Sequence, residues 1–186
     1  MIPKRYEDVD YERDVPQNIK ALFEQSRKER KGIYIHGGVG SGKTHVAYAL
    51  LKKWNELRDE DKSTNEKSKS EEVLPRPYGI LWNTTELLHE LRKSYKTKEQ
   101  DFIDDIISKK AFIFLDDIGS EKVTDWVEEI FYLIVNMRYE KVHPMIFTSN
   151  LPLSQLAEKI GDRTVSRIKE MCHVVKIDGE DRRLKK

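Results

Sequence analysis

The segment that most constrains the fold is residues 37–44, which read Gly-Gly-Val-Gly-Ser-Gly-Lys-Thr and match the pattern G-x-x-x-x-G-K-[ST]. Residues 33–35 before it are apolar and partly β-branched, and residues 44–54 after it have helical apolar spacing. The glycines let the backbone turn so that successive N–H groups face an anion, and the first turn of the helix adds its dipole. The segment therefore predicts a phosphate-binding loop between a buried strand and a helix.

Every position of this loop is a candidate contact for a nucleotide: Gly37, Gly38, Val39, Gly40, Ser41, Gly42, Lys43 and Thr44. Lys43 is expected to reach the β and γ phosphates of ATP, and Thr44 is expected to place its hydroxyl on Mg²⁺. The glycine spacing does not fit G-x-G-x-x-G, which disfavours a dinucleotide site. His36 and His45 flank the loop, and we interpret both as packing and capping residues.

Two carboxylates follow the apolar residues 112–115, at the point where a buried strand would end. This is the position of a Walker B element, so we predict that Asp116 is directed at Mg²⁺. Successive side chains of a strand point to opposite sides, so Asp117 can address the water that attacks the γ phosphate. Glutamate is commoner there and reaches about one methylene further, so Asp117 predicts slow or partner-dependent hydrolysis. The alternative is a turn with two solvated acids.

A polar residue, Asn150, follows the next predicted strand. Open α/β sheets collect their ligand-binding groups at the carboxyl ends of the strands. An uncharged amide there can orient a water between Asp117 and the γ phosphate. The alternative is an ordinary Asx turn before Pro152.

The organisation of the chain indicates one domain, spanning residues 1–186. Strand-like apolar runs at residues 33–35, 79–82, 111–115, 145–148 and 172–177 alternate with helical stretches, a pattern typical of a parallel sheet covered on both faces. Residues 1–18 show no period and predict an extended N-terminal arm, with a first helix from about Asn18 that Gly32 stops. Residues 59–72 contain no apolar side chain and predict a charged mobile insertion.

Composition excludes several classes of protein. The 34 basic and 33 acidic residues give a net charge of +1, which is no basis for a strong attraction to nucleic acid over the whole surface. The single cysteine, Cys172, cannot form an internal disulfide. No apolar run approaches the roughly 20 residues that cross a bilayer, and no secretory signal is evident. We therefore expect a cytoplasmic protein without a membrane partner.

A local patch of cations could still bind nucleic acid. Arg92, Lys93, Tyr95 and Lys96 end the helix after the second strand, where Tyr95 could stack on a base of single-stranded DNA and the cations could follow its phosphates. The alternative is a solvated helix end whose cations complement the helix dipole. We interpret Trp126, after the acidic pair, as a core or interface residue.

Together these features resemble the AAA+ class, and specifically the DnaC/DnaI-type helicase-loader family, which includes insertion-sequence helper ATPases. The resemblance rests on residues 37–45, 114–119 with Trp126, 138–139, 147–151 and 161–168. It implies a three-layer αβα P-loop NTPase whose mostly parallel five-stranded sheet has the strand order 51432, without a full C-terminal lid. This sequence holds no N-terminal helicase-docking domain of the size common in cellular loaders. We therefore expect either that the partner is held by the short arm or by core surfaces, or that a docking part lies outside this sequence.

The resemblance also implies roles for individual residues. Asn150 corresponds to sensor I, and Arg167, within Ser-Arg-Ile, corresponds to the arginine finger. Arg163 is the second candidate for the finger, and its alternative is a surface salt bridge. Arg183 is a candidate contact to the nucleotide of its own subunit. A finger acts on the nucleotide of a neighbouring subunit, so this assignment implies oligomers bridged by ATP.

The function that the resemblance implies is binding and slow hydrolysis of Mg-ATP, used to load or remodel a hexameric replicative helicase on single-stranded DNA during DNA replication. Three alternatives stay open. A transposition helper would bind duplex DNA and a transposase. A P-loop kinase would transfer phosphate to an acceptor other than water. A nucleotide-stabilised binding module would bind ATP without turnover.

Overall fold

Five short strands form one sheet in the computed structural model, which describes residues 2–65, 77–97 and 111–178. The sheet order is β2-β3-β4-β1-β5, and all four neighbouring pairs are parallel. This confirms the order 51432 and the P-loop fold that the resemblance implied. The strands are β1 Gly32–His36, β2 Gly79–Asn83, β3 Phe112–Asp116, β4 Met145–Ser149 and β5 Cys172–Lys176.

Seven α-helices connect or precede these strands in the described part of the chain. They are α1 Tyr11–Asp14, α2 Gln17–Glu29, α3 Lys43–Asn65, α4 Thr84–Thr97, α5 Asp125–Glu140, α6 Leu153–Ile160 and α7 Asp162–Met171. Local chemistry explains several of their ends. The Thr124 side chain accepts a hydrogen bond from the Val127 N–H and so caps the start of α5. None of the helices in the described residues is both long and apolar enough to cross a membrane.

The core lies on both faces of the sheet, because successive side chains of a strand pack into two different apolar clusters. In β3, Phe112 and Phe114 pack with α2 and α3, whereas Ile113 and Leu115 pack with α4 to α7. Successive strand residues point to opposite faces, so two apolar clusters require helices on both sides. The three-layer αβα arrangement follows, with the carboxyl ends of the strands gathered at one edge.

The N-terminal arm differs from the prediction, because residues 2–18 are not extended. Lys4–Tyr6 form a 3₁₀ turn, α1 follows, and α2 has already begun at Gln17. Val9 and Val15 are buried in the same cluster as α2 and α3. Lys52 donates hydrogen bonds to the Glu7 and Val9 carbonyls at 2.8 and 2.9 Å. The burial of these two valines and the bonds from Lys52 stabilise the turns. So short a segment has no apolar period from which the turns could have been predicted.

The charged insertion is also shorter than predicted. Helix α3 continues to Asn65, so residues 59–65 are helical. The rest of the predicted insertion, residues 66–72, lies outside the described residues. Elongating a helix whose first turns are already packed adds one hydrogen bond for each residue fixed, and Glu and Lys are good helix formers. A segment without apolar side chains can therefore continue a helix whose earlier turns are packed.

The end of α2 is another correction. The helix ends at Glu29 and its cap, Arg30, has a left-handed backbone with φ 56°, so Gly32 is not the stop. Gly32 instead begins β1, where a Cβ atom would lie 2.0 Å from the Met145 carbonyl oxygen. The glycine is therefore required by the close approach of β1 to β4 rather than by the helix.

Candidate functional site

The glycine-rich loop joins β1 to α3 at the carboxyl edge of the sheet, as predicted. Gly40 and Gly42 have φ angles of 75° and 93°, in the left-handed region that favours glycine. A Cβ atom on Gly37 would lie 2.3 Å from the Ile177 carbonyl oxygen. The loop therefore needs glycine at these positions for two reasons, its backbone conformation and its contact with the segment after β5.

Lys43 begins α3 and is buried within the curve of the loop. Its Nζ donates hydrogen bonds to the Gly37 and Gly38 carbonyl oxygens at 3.0 and 2.7 Å. Phosphate oxygens carry negative charge and accept stronger hydrogen bonds than neutral carbonyls. When a phosphate binds at the loop, Lys43 Nζ can therefore donate to its oxygens instead of to the two carbonyls.

Asp116 is buried at the end of β3 and accepts hydrogen bonds from two threonines. Thr44 Oγ1 donates to one carboxylate oxygen at 3.0 Å, and Thr148 Oγ1 donates to the other at 2.6 Å. Burial raises the pKa of Asp116, and the two threonine bonds oppose that rise because they favour the charged form. Hydroxyl and carboxylate oxygens are the hard ligands that Mg²⁺ prefers, so Thr44 and Asp116 fit a Mg²⁺ site.

Asp117 and Asn150 lie beside this pair and contact each other directly, whereas the sequence predicted that Asn150 orients a water between Asp117 and the γ phosphate. Asn150 Nδ2 donates to Asp117 Oδ1 at 2.9 Å, and the Asp117 backbone N–H donates to Thr148 Oγ1 at 2.9 Å. Asp117 has φ 62°, a conformation that costs a non-glycine residue free energy. The two hydrogen bonds hold that conformation and aim the carboxylate toward the loop.

Thr148 is a site residue that the sequence reasoning did not assign. Its single hydroxyl donates to Asp116 and accepts from the Asp117 backbone, so it joins the two acidic residues to β4. Its position two residues before Asn150, near the end of a strand, was the available signal, but threonine is common in strands and nothing in the residue type marks this function.

A cavity of about 420 Å³ adjoins the loop and these polar groups. Arg5, Tyr6 and His45 line it together with Lys43, Thr44, Asp117 and Asn150. The Tyr6 ring stacks on Tyr48 with 4.3 Å between centroids, and His45 Nε2 lies 3.3 Å from Asp14 Oδ2. The N-terminal segment is therefore one wall of the cavity, which the prediction of an extended arm did not anticipate.

The two candidate arginine fingers lie on α7 and are not among the described residues that line this cavity. Arg163 is exposed to solvent, whereas the Arg167 guanidinium lies over the Tyr132 and Tyr139 rings of α5. This separation from the chain's own cavity is compatible with action on a neighbouring subunit.

The predicted nucleic-acid patch is described only in part. The Arg92 guanidinium lies 4.6 Å from the centroid of the Trp126 ring, and Lys93 Nζ lies 3.7 Å from Glu90 Oε2. The side chains of Tyr95 and Lys96 lie outside the described residues, and so does Arg183.

The glycine-rich loop, the acid at the end of β3, the amide after β4 and the strand order together define a P-loop ATP-binding domain of the AAA+ class. Residues 79–186 match the family described as IstB-like ATP binding protein. The match includes more than half of the chain, and this protein belongs to that family.

Individual relatives agree with this assignment. The replicative helicase loader DnaI of Bacillus subtilis (strain 168) is 26% identical over 166 residues, which are 82% of this chain and 48% of DnaI. The chain therefore spans about half the length of this relative. A crystal structure of the DnaC helicase loader has a TM-score of 0.72 and 26% identity, covering 95% of this chain and all of that one. A crystal structure of DnaI has a TM-score of 0.72 and 25% identity, covering 98% of this chain and 94% of that one.

Proposed function

We propose that this protein binds Mg-ATP, hydrolyses it slowly, and uses the cycle to load or remodel a hexameric replicative helicase on single-stranded DNA. The observation that carries the proposal is the hydrogen-bonded set of Asp116, Thr148, Asp117 and Asn150 beside the phosphate-binding loop. Two proteins to which the chain is similar, DnaI and DnaC, are helicase loaders. The cytoplasm, where ATP is available, is the proposed site of action.

Hydrolysis requires the chain to hold the nucleotide and to activate a water. Loop N–H groups and Lys43 bind the phosphates, and Thr44 and Asp116 would hold Mg²⁺. Bound Mg²⁺ supplies positive charge that offsets the charge developing on the phosphate oxygens. Asp117 accepts the proton of the attacking water, whose oxygen bonds to the γ phosphorus as the bond to the β–γ bridging oxygen breaks. Asn150 holds the Asp117 carboxylate, and the short reach of aspartate makes the step slow.

Self-association is the second part of the proposal. Arg167, or Arg163 in second place, would contact the γ phosphate of ATP held by a neighbouring copy, which stabilises the transferring group. Arg183 would contact the nucleotide of its own subunit. ATP would then bridge neighbours, and hydrolysis would release them, so the nucleotide would time the assembly.

Contact with single-stranded DNA is assigned to Arg92, Lys93, Tyr95 and Lys96. The Arg92 guanidinium lies 4.6 Å from the centroid of the Trp126 ring, so its charge is held at one place on the surface. A cation over a ring retains its attraction for phosphate, which supports this surface over a purely solvated helix end.

The first test compares wild type, Asp117→Asn and Asp59→Asn, an exposed aspartate of α3 that serves as the control. We expect wild type and Asp59→Asn to hydrolyse ATP faster when single-stranded DNA is present. Asp117→Asn is expected to bind ATP but to lose turnover by about a hundredfold or more. ATP binding with no phosphate release by wild type, at any protein concentration, would contradict hydrolysis and leave the binding-module and kinase alternatives.

The second test measures the proposed work. A replicative hexameric helicase is offered circular single-stranded DNA coated with single-strand binding protein, and helicase bound to the circle is counted with and without this protein and ATP. Loading that requires both supports the proposal, and equal loading without them contradicts it.

A transposition helper is the second candidate, because the matching family is IstB-like and the resemblance includes insertion-sequence helper ATPases. Competition between duplex and single-stranded DNA of equal length separates the two functions. Preference for duplex DNA, together with hydrolysis stimulated by duplex, would favour the transposition helper.

A further inference from the structure

The contact between α5 and α7 includes an arginine between two tyrosine rings. The Arg167 guanidinium carbon lies 5.2 Å from the centroid of Tyr132 and 5.7 Å from that of Tyr139. The two tyrosines are about two turns apart on α5, so they lie on the same face of that helix. Arg167 Nη1 also donates to the Arg163 carbonyl oxygen at 3.1 Å, which fixes the plane of the guanidinium against its own helix.

Arg167 is held without a carboxylate partner, unlike several other arginines of the chain. Arg13, Arg27 and Arg58 each form a salt bridge with an acidic side chain. Within the described residues, Arg167 forms no salt bridge. Its buried Nε has no hydrogen-bond partner, but this is also true of Arg27 and Arg58, so what distinguishes Arg167 is that no carboxylate is paired with its charge.

This arrangement suits a group that must engage an anion from elsewhere. A carboxylate would compete directly with a phosphate for the guanidinium, whereas an aromatic face attracts the cation more weakly. The rings nevertheless restrict where the long side chain can lie. Less conformational entropy is then lost when the guanidinium binds.

The Tyr139 ring is itself held in place by α7. The Glu170 side chain of α7 lies close enough to the Tyr139 hydroxyl to raise the pKa of Tyr139, which places the ring beside the helix that carries Arg167. Tyr132 is partly exposed at the same surface. Arg163, one turn earlier on α7, is exposed and lines a surface cavity together with Tyr132, but among the described residues only Arg167 of the two lies over an aromatic ring.

We propose that Tyr132 and Tyr139 are positioning residues that hold the Arg167 guanidinium ready for the γ phosphate of ATP bound by a neighbouring copy. The inference rests on the proposed ATP-bridged function and deepens it, because it assigns the finger to Arg167 rather than to Arg163. The tyrosines act through the arginine and do not touch the nucleotide.

The test uses Tyr132→Leu, which removes the ring, and Tyr132→Phe, which keeps its face. Tyr78→Leu is the matched control, since Tyr78 is an exposed tyrosine whose ring lies 5.3 Å from the Arg58 guanidinium, away from α7. ATP hydrolysis is measured at several protein concentrations. Tyr132→Leu is expected to lower kcat by about ten- to a hundredfold with little change in KM for ATP. Tyr132→Phe and Tyr78→Leu are expected to remain near wild type.

Mixing subunits separates positioning of the finger from a general structural defect. Lys43→Ala lacks the phosphate-binding lysine but has an intact α5–α7 surface, whereas Tyr132→Leu has an intact nucleotide site. If the tyrosine acts through Arg167, a mixture of the two variants regains turnover well above the sum of their separate rates. A mixture that stays as inactive as its parts overturns the inference.

The remaining outcomes distinguish this inference from the proposed function. If wild-type turnover depends on neither protein concentration nor Arg167, tested with Arg167→Ala, the ATP-bridged function fails and the inference fails with it. If turnover depends on both but Tyr132→Leu matches wild type, or Tyr132→Phe is as slow as Tyr132→Leu, only the positioning inference fails.

Discussion

Replacing Thr148 by valine removes the hydroxyl that joins the two acidic residues and keeps the volume of the side chain. Thr148 is almost fully buried, so no water can take over its bonds. The lost bond to the Asp116 carboxylate contributes about 1.5–3 kcal/mol, and the lost bond from the Asp117 N–H contributes about 1 kcal/mol. We therefore expect the free energy of unfolding to fall by about 3 kcal/mol, which lowers Tm by roughly 6–12 °C for a domain of this size.

The assay is urea denaturation with Thr148→Ser as the control, because serine keeps the hydroxyl and removes only the methyl group. The Thr148→Ser variant is expected to keep most of the stability that the Thr148→Val variant loses. Valine is also expected to slow ATP hydrolysis, since Asp117 would lose one of the bonds that hold its left-handed backbone. A loss below about 1 kcal/mol for valine, or an equal loss for serine, would refute the role of the hydroxyl.

Three further predictions concern the loop, the N-terminal wall and the opposite edge of the sheet. Gly37→Ala is expected to raise the Kd for a fluorescent ATP analogue by at least about tenfold, because its Cβ would lie 2.3 Å from a carbonyl oxygen. Gly38→Ala, with no atom within 4 Å of the added Cβ, is expected to raise it less. The hydrogen bond from Arg13 lowers the pKa of Asp14 to about 2, from an ordinary value of 3.8. As pH falls, Asp14 of the unfolded chain therefore takes up a proton at a higher pH than Asp14 of the folded chain. The stabilisation is present above about pH 4 and is lost as pH falls toward 2. Asp14→Asn should flatten that part of the curve of unfolding free energy against pH, and an unchanged curve would contradict the assignment. Arg138 is fully buried, where burial lowers its pKa to about 10, and it donates to the Ala111 and Pro144 carbonyls. Arg138→Lys is expected to lower the free energy of unfolding by about 1–3 kcal/mol, because both bonds come from Nη2, which the shorter and more strongly hydrated lysine side chain does not reproduce. Thermal melting measures this change, and a variant as stable as wild type would show that the guanidinium is unnecessary.

Short-range patterns predicted much of this fold. The strands at residues 33–35 and 112–115 were apparent because parallel strands covered on both faces are apolar throughout. Lys43, Thr44 and Asp116 were apparent because the phosphate-binding pattern and the strand that ends in an acid are local in the chain. The N-terminal turns were not apparent, because Val9 and Val15 are too few to establish a period.

The sequence by itself determined the layers, the loop and the acids at the end of β3, because these depend on periodicity and on residue types a few positions apart. Only the tertiary structure decided that Thr148 joins Asp116 to Asp117, that Tyr6 lines the cavity, and that Arg167 lies between two tyrosines. Each of these contacts joins different structural elements. Their geometry depends on how the helices pack across the sheet, and no local pattern in the chain encodes that packing.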